Sequence, residues 1–235
     1  MKAEPVAADQ LIERLRAFAN PENVAGMARF GINPAGTLGV SIPNIRALAK
    51  GRRDHQLALD LWASAIHEAR ILAAMVDDPA QVTESQMEAW VLDFDSWDVC
   101  DQVCMNLFDR VPNAFEKAEE WAGRPEEFVK RAGFALMAVL AWHHKTAPDE
   151  RFLAFLPIIH REAGDKRNFV KKAVNWALRQ IGKRNAALNQ AAIKAAQELL
   201  GSESSTARWV ASDALREFEK KSARDKSIDP EQPHS

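Results

Sequence analysis

The chain has 235 residues and a formal net charge of -2, and its 47% apolar and 27% charged residues exclude wholesale disorder and low-complexity fibres. No apolar run approaches the roughly 20 residues needed to cross a bilayer, and the opening MKAEPVAADQ lacks the apolar core of a secretory signal. The expectation is therefore a cytoplasmic protein with no membrane partner, long enough for one large domain or two small ones.

Strand signals are nearly absent: tyrosine is missing and β-branched residues do not alternate. Asp9–Ala19 sets Leu11, Ile12, Leu15 and Phe18 on one helical stripe. Asn33–Val40, with two glycines and a proline, reads as a loop. Ser41-Ile42-Pro43 then opens a helix through Lys50, with Pro43 in the first turn, where its missing N–H costs nothing. Short helices follow, separated at Asp78-Pro79, Asp95-Ser96, Val111-Pro112, Gly123-Arg124-Pro125, Ala147-Pro148, Gly164 and Gly201. Thr83 and Ser96 are suited to cap the helices that follow them. Cys100 and Cys104 share a helix face and suit packing, not a disulfide framework.

Several segments resemble one another. Val129-Lys130-Arg131-Ala132, Val170-Lys171-Lys172-Ala173 and Trp209-Val210-Ala211-Ser212 each head a helix, and Glu68-Ala69-Arg70-Ile71 is a looser relative. A spacing near 40 residues with two helices per unit is that of HEAT-like repeats. The fold expected is all-α: HEAT-like helical repeats stacked into a curved α-solenoid, spanning 1–224 as one domain, with a frayed tail at 225–235. Inner helices headed by basic residues would line a concave groove suited to the DNA backbone; most such arrays instead bind proteins.

Charge is unevenly distributed. Residues 1–123 carry 11 Lys/Arg against 19 Asp/Glu, residues 124–224 carry 19 against 11, and residues 225–235 carry 1 against 3. Between 164 and 194 there are 8 basic residues, with Asp165 as the lone acid. Such a run suits phosphate contact or a merely solvated helix face.

Two segments break the simple amphipathic pattern. In Ser96-Trp97-Asp98-Val99-Cys100-Asp101, Trp97 and Asp101 are four apart and share a face. In Phe169–Arg179, Trp176 has Lys172 one turn before it and Arg179 one turn after. A third segment, Phe128–Ala132, puts Arg131 at a helix head. Each is weak alone; their placement on three successive inner helices is what joins them. No metal-ligand spacing is present: His143-His144 is adjacent, His67-Glu68 lacks a second histidine, and Cys100-x-x-x-Cys104 lacks a second pair.

Trp97-Asp98-Val99-Cys100-Asp101, Lys172-Ala173-Val174-Asn175-Trp176-Ala177-Leu178-Arg179, Lys130-Arg131 before alanine, and Leu38–Arg46 together resemble the AlkD-like DNA alkylation repair enzymes. The resemblance runs over roughly residues 5–222. It implies a HEAT-like DNA glycosylase of base excision repair, acting without base flipping on double-stranded DNA that contains N3- or N7-alkylated purines. Trp97 and Trp176 would flank the lesion, Asp101 would be the catalytic carboxylate, and Arg131 would contact the backbone near the lesion. One departure is Ser96, where some members carry a second aromatic. The family also includes paralogues that have lost excision.

A cationic purine is already a good leaving group, so the chemistry asks mainly for stabilisation of an oxocarbenium-like transition state. A carboxylate and indole faces can supply this without a metal or organic cofactor. Lys130, Lys166, Arg167, Lys171, Lys172, Arg179, Lys183, Arg184 and Arg208 are the expected phosphate contacts. No obligate protein partner is implied, and a monomer is expected. The rivals are a non-catalytic protein that binds branched or distorted DNA and a protein-binding scaffold.

Overall fold

The computed structural model describes residues 7–228. All regular structure among them is helical, as the periodicity predicts, and no helix there is long and apolar enough to cross a membrane. The chain divides into two compact units, one through Ala114 and one from Phe115 onward.

The first unit holds α1 (Ala8–Ala17), α2 (Pro21–Arg29), α3 (Ile42–Ala49), α4 (His55–Ala63), α5 (His67–Val76), α6 (Glu84–Leu92) and α7 (Trp97–Asn106), followed by a 3₁₀ turn at Phe108–Arg110. Local chemistry sets the starts. Asn20 Oδ1 accepts the Glu22 and Asn23 amides ahead of α2, whose first residue is Pro21. Asp54 and Thr83 cap α4 and α6 in the same way. Leu11, Ile12 and Leu15 are buried as the stripe predicts, but Phe18 is exposed. It lies just past the end of α1, where the chain turns away before the stripe continues. The central element is α5, buried at Ala69, Ile71, Leu72, Ala73 and Val76, which packs against α3, α4 and α7. A helix enclosed on several sides needs apolar residues on more than one stripe.

Ser96 stands at the N-cap position of α7 but does not cap it. Its hydroxyl is buried and accepts the backbone N–H of Asn33 at 2.9 Å. A donor from the loop between α2 and α3 is thereby satisfied, and this contact outcompetes the local one.

The second unit holds α8 (Ala114–Ala122), α9 (Glu127–His143), α10 (Asp149–Leu153), α11 (Phe155–Glu162), α12 (Asn168–Gly182), α13 (Ala186–Leu200) and α14 (Ser205–Ile228). The three similar segments lie near the starts of α9, α12 and α14, so the repeat in the sequence is a repeat of structure. α9 is buried continuously from Val129 to Ala141 and lies along α12, which also meets α13 and α14. Asn175, buried on α12, donates to the Val210 carbonyl of α14 at 3.1 Å. Of the expected tail, 225–228 continue α14, and 229–235 lie outside the described residues.

Gly133 lets α8 and α9 approach closely. A Cβ there would sit 2.3 Å from the Ala122 backbone nitrogen and 2.9 Å from the Ala118 carbonyl oxygen. Backbone on both sides cannot yield as a flexible side chain would. Gly133→Ala is expected to destabilise the protein by about 1–3 kcal/mol, the usual range for overpacking. Chemical denaturation checks this, and an unchanged midpoint would show that α8 can shift freely.

Candidate nucleic-acid interface

In the first unit, α7 carries the residues that could do chemistry. Trp97 opens the helix half-buried, and its indole N–H donates to the Phe30 carbonyl at 3.2 Å. Asp101 is half-buried one turn on, which puts a carboxylate on the same face as the indole. Val99, Cys100, Val103 and Cys104 form the buried side of the helix. Burial, aided by a hydrogen bond with Cys100, pushes the Cys104 thiol well up, so it stays a packed, inert thiol.

A second feature of this unit escaped the sequence reading. A cleft of about 460 Å³ lies at the C-terminal ends of α3, α5 and α7, lined by Arg46, Lys50, Met75, Asn106 and Arg110 among others, none of them acidic. Arg46 and Lys50 are exposed and have no ion pair among the described residues. Arg110 is exposed beside Asp109, 3.9 Å away. The acidic total of this half of the chain hid the cluster. Its signal was the i,i+4 spacing of Arg46 and Lys50 on one short helix.

In the second unit the expected cations fall into two groups. Several are committed to holding the unit together. Lys130 is buried and bonds Glu162 at 2.7 Å, with Asp165 at 3.7 Å. Arg131 is buried and donates to the Phe169 carbonyl at 2.6 Å, which ties α9 to the start of α12. Arg167 bonds Asp165 through two nitrogens and the Pro125 carbonyl through a third. Arg179 pairs with Glu217 and with Asp213, and Lys183 pairs with Glu217. Arg184 donates to the carbonyls of Ala141, His144, Lys145 and Ala147 and lies over the Phe152 ring at 3.9 Å. It closes the open carbonyl end of α9, and burial pulls its pKa down.

The other group faces solvent. Lys166 and Lys172 are exposed, and Arg208 is exposed with its guanidinium on the Ser202 and Glu203 carbonyls. Lys171 is half-buried, its ammonium 4.9 Å from the centre of the exposed Trp209 ring. Trp176 is half-buried on α12, one turn beyond Lys172.

This architecture has a match among solved structures. A TM-score of 0.77 relates the chain to a structure described as representing a new family of proteins related to the HEAT-like repeat DNA glycosylases, with affinity for branched DNA structures. The match covers 92% of this chain and 95% of that one at 18% sequence identity, a likeness of fold. The protein thus has the all-α, HEAT-like repeat fold. A family model for the DNA alkylation repair enzymes matches residues 11–224, and the chain belongs to that family. Among curated proteins no significant match is found.

The cluster around Lys130 gives a pH-dependent expectation. Burial opposes ionisation of Glu162, but hydrogen bonds from Lys130 and Arg161 outweigh it and hold the carboxyl below its ordinary value. The Arg167 hydrogen bond depresses Asp165 against the opposing effect of burial, with Lys130 adding to the depression. Depressed carboxylates contribute stability that is present above their unfolded pKa values and lost as pH falls through the folded ones. Lys130→Ala is therefore expected to cost about 1–3 kcal/mol near neutral pH. The difference from wild type should shrink as the medium is acidified through that range. Unfolding curves measured across the acid range check this, and a pH-independent deficit would contradict it.

Proposed function

We propose that the protein is a monofunctional DNA glycosylase of base excision repair. It hydrolyses the N-glycosidic bond of cationic N3- or N7-alkylated purines in duplex DNA, without flipping the base. The observation that carries this reading is the pairing of Trp97 and Asp101, half-buried one turn apart on α7, in a chain of the DNA alkylation repair family.

Alkylation at N3 or N7 gives the purine a formal positive charge and makes it a ready leaving group. As the bond to the sugar lengthens, positive charge develops at the anomeric carbon. A carboxylate placed there lowers the energy of that state and can orient the attacking water, and this is the role of Asp101. The negative face of the Trp97 indole favours a cationic base over a neutral one, by about 0.5–2 kcal/mol, and the half-buried Trp176 indole offers a like face within the second unit. Arg131, bonded to the Phe169 carbonyl, fixes the start of α12 on which Lys171, Lys172 and Trp176 stand. Lys130 is enclosed against Glu162 and Asp165, so its amine is not offered to a sugar carbon.

Phosphate contact falls to the solvent-facing cations: Lys166, Lys171, Lys172 and Arg208 in the second unit, and Arg46, Lys50 and Arg110 around the cleft of the first. A second reading, a non-catalytic binder of branched DNA, draws support from the affinity described for the structural relative.

Asp101→Asn is expected to leave affinity for duplex DNA nearly unchanged or slightly raised, since it removes a carboxylate, and to abolish release of 7-methylguanine from methylated DNA, measured by chromatography of freed bases. Excision at the wild-type rate would remove Asp101 from the mechanism, and a wild-type protein that releases no base favours the branched-DNA reading. Lys172→Ala is expected to weaken binding to damaged and intact duplexes equally. It should also reduce the log–log salt slope by about 0.9; a loss confined to lesions would instead place Lys172 at the base.

A further inference from the structure

Trp97 is held by a network that runs through the α2–α3 loop to α5. Its indole N–H reaches the Phe30 carbonyl at the start of the loop that joins α2 to α3. Further along, that loop bonds the residues just before Trp97: the Asn33 amide donates to Ser96 Oγ at 2.9 Å, and Asn33 Nδ2 donates to Asp95 Oδ2 at 2.7 Å.

The far end of the loop is gripped by α5. Glu68, 1% exposed, accepts the Leu38 amide at 2.9 Å on one carboxylate oxygen, and the Gly39 and Val40 amides at 2.7 and 3.1 Å on the other. Gly39 holds φ at +78°, and a Cβ there would meet the Asn20 carbonyl oxygen at 2.2 Å, so the loop passes where only glycine fits. The neighbouring residue on α5, His67, receives the loop at Gly36 through its own backbone amide, at 3.0 Å. Its buried ring crosses to α7, with Nε2 2.8 Å from Asp98 Oδ2. The other oxygen of Asp98 is buried and has no hydrogen-bond partner among the described residues, so a single bond from His67 holds that carboxylate.

Two consecutive residues of α5 therefore grip both the loop that receives the indole and the residue beside the indole. We infer that His67 and Glu68 are positioning residues, which fix the direction of the Trp97 ring through Asp98 and through the α2–α3 loop. The inference deepens the proposed reading and rests on it for its catalytic meaning.

The His67–Asp98 link joins two ionisable partners, so it is sensitive to their charge. The charged groups facing His67 are Asp98 on α7, Asp95 in the turn before it and Glu68 on its own helix. Burial disfavours the imidazolium, but the Asp98 hydrogen bond and the attraction of these three carboxylates prevail and raise the His67 pKa. The charge-assisted link is thus complete below the ordinary histidine value and is lost as pH rises through the raised one.

The test has two arms, both on the full chain. In the first, the protein is labelled with ¹⁵N at tryptophan and histidine, and the Trp97 indole cross-peak is identified by its loss in Trp97→Phe. That peak is expected to move with pH at the midpoint of the His67 ring, and Asp98→Asn is expected to lower both midpoints together. A Trp97 peak that ignores the His67 titration overturns the inference, and this arm needs no enzymatic activity. In the second arm, single-turnover release of 7-methylguanine by Asp98→Asn is expected to fall roughly tenfold to a hundredfold, the scale of a small misplacement of a catalytic group, while affinity for duplex DNA stays within twofold. Loss of affinity in proportion to rate overturns the positioning role. A wild-type protein that releases no base, with its Trp97 peak still following His67, refutes the glycosylase reading and leaves the coupling standing.

Discussion

A backbone segment that leaves helical geometry inside a packed structure must find partners for its amides, or each buried group costs free energy. The loop between α2 and α3 is such a segment. One enclosed carboxylate, Glu68, answers three consecutive amides of it, and a serine hydroxyl ahead of α7 answers a fourth. The geometry of the Trp97 end of α7 follows from that constraint. The indole has a carbonyl to meet because the loop is held where it is, and the loop is held because α5 supplies a charge inside the core.

The second unit obeys a related constraint, with cations in place of the carboxylate. Its excess of lysine and arginine looks from the sequence like a surface prepared for phosphate. Much of it instead satisfies groups within the unit: Arg184 closes the end of α9, Arg131 ties α9 to α12, and Arg179 and Lys183 meet carboxylates on α14. The counter-charges Asp213 and Glu217 lie on a later helix, outside the basic run. A count along the chain therefore finds an uncompensated patch where the folded unit has ion pairs. Of the nine expected phosphate contacts, Lys166, Lys171, Lys172 and Arg208 are left toward solvent, and the cluster at Arg46, Lys50 and Arg110 lies in the half whose total charge is negative.

What was legible in the sequence is what local chemistry decides. Helical periodicity, the cap at Thr83, the first-turn proline Pro43, the loop at 33–40 and the near-40-residue repeat on α9, α12 and α14 all depend on residues close in the chain. Ser96 shows where that ends. It has the right residue type and position for a cap, and a loop donor more than sixty residues earlier in the chain takes its oxygen. His67 and Glu68 show the same from the other side. Examined as a metal motif they lack a partner histidine, and their partners, Asp98 and three backbone amides, share no sequence spacing with them.

The proposed chemistry and the branched-DNA alternative make different demands on α7. A protein that only grips nucleic acid gains affinity from cations and stacking rings, and a carboxylate facing the polyanion weakens it. Asp101 beside Trp97 is therefore a liability for binding alone. It becomes useful when the DNA presents a positive charge, as an alkylated purine and its developing sugar cation do. On the proposed reading, the carboxylate on α7 would select for a cationic lesion, while the solvent-facing lysines and arginines would supply affinity for any duplex.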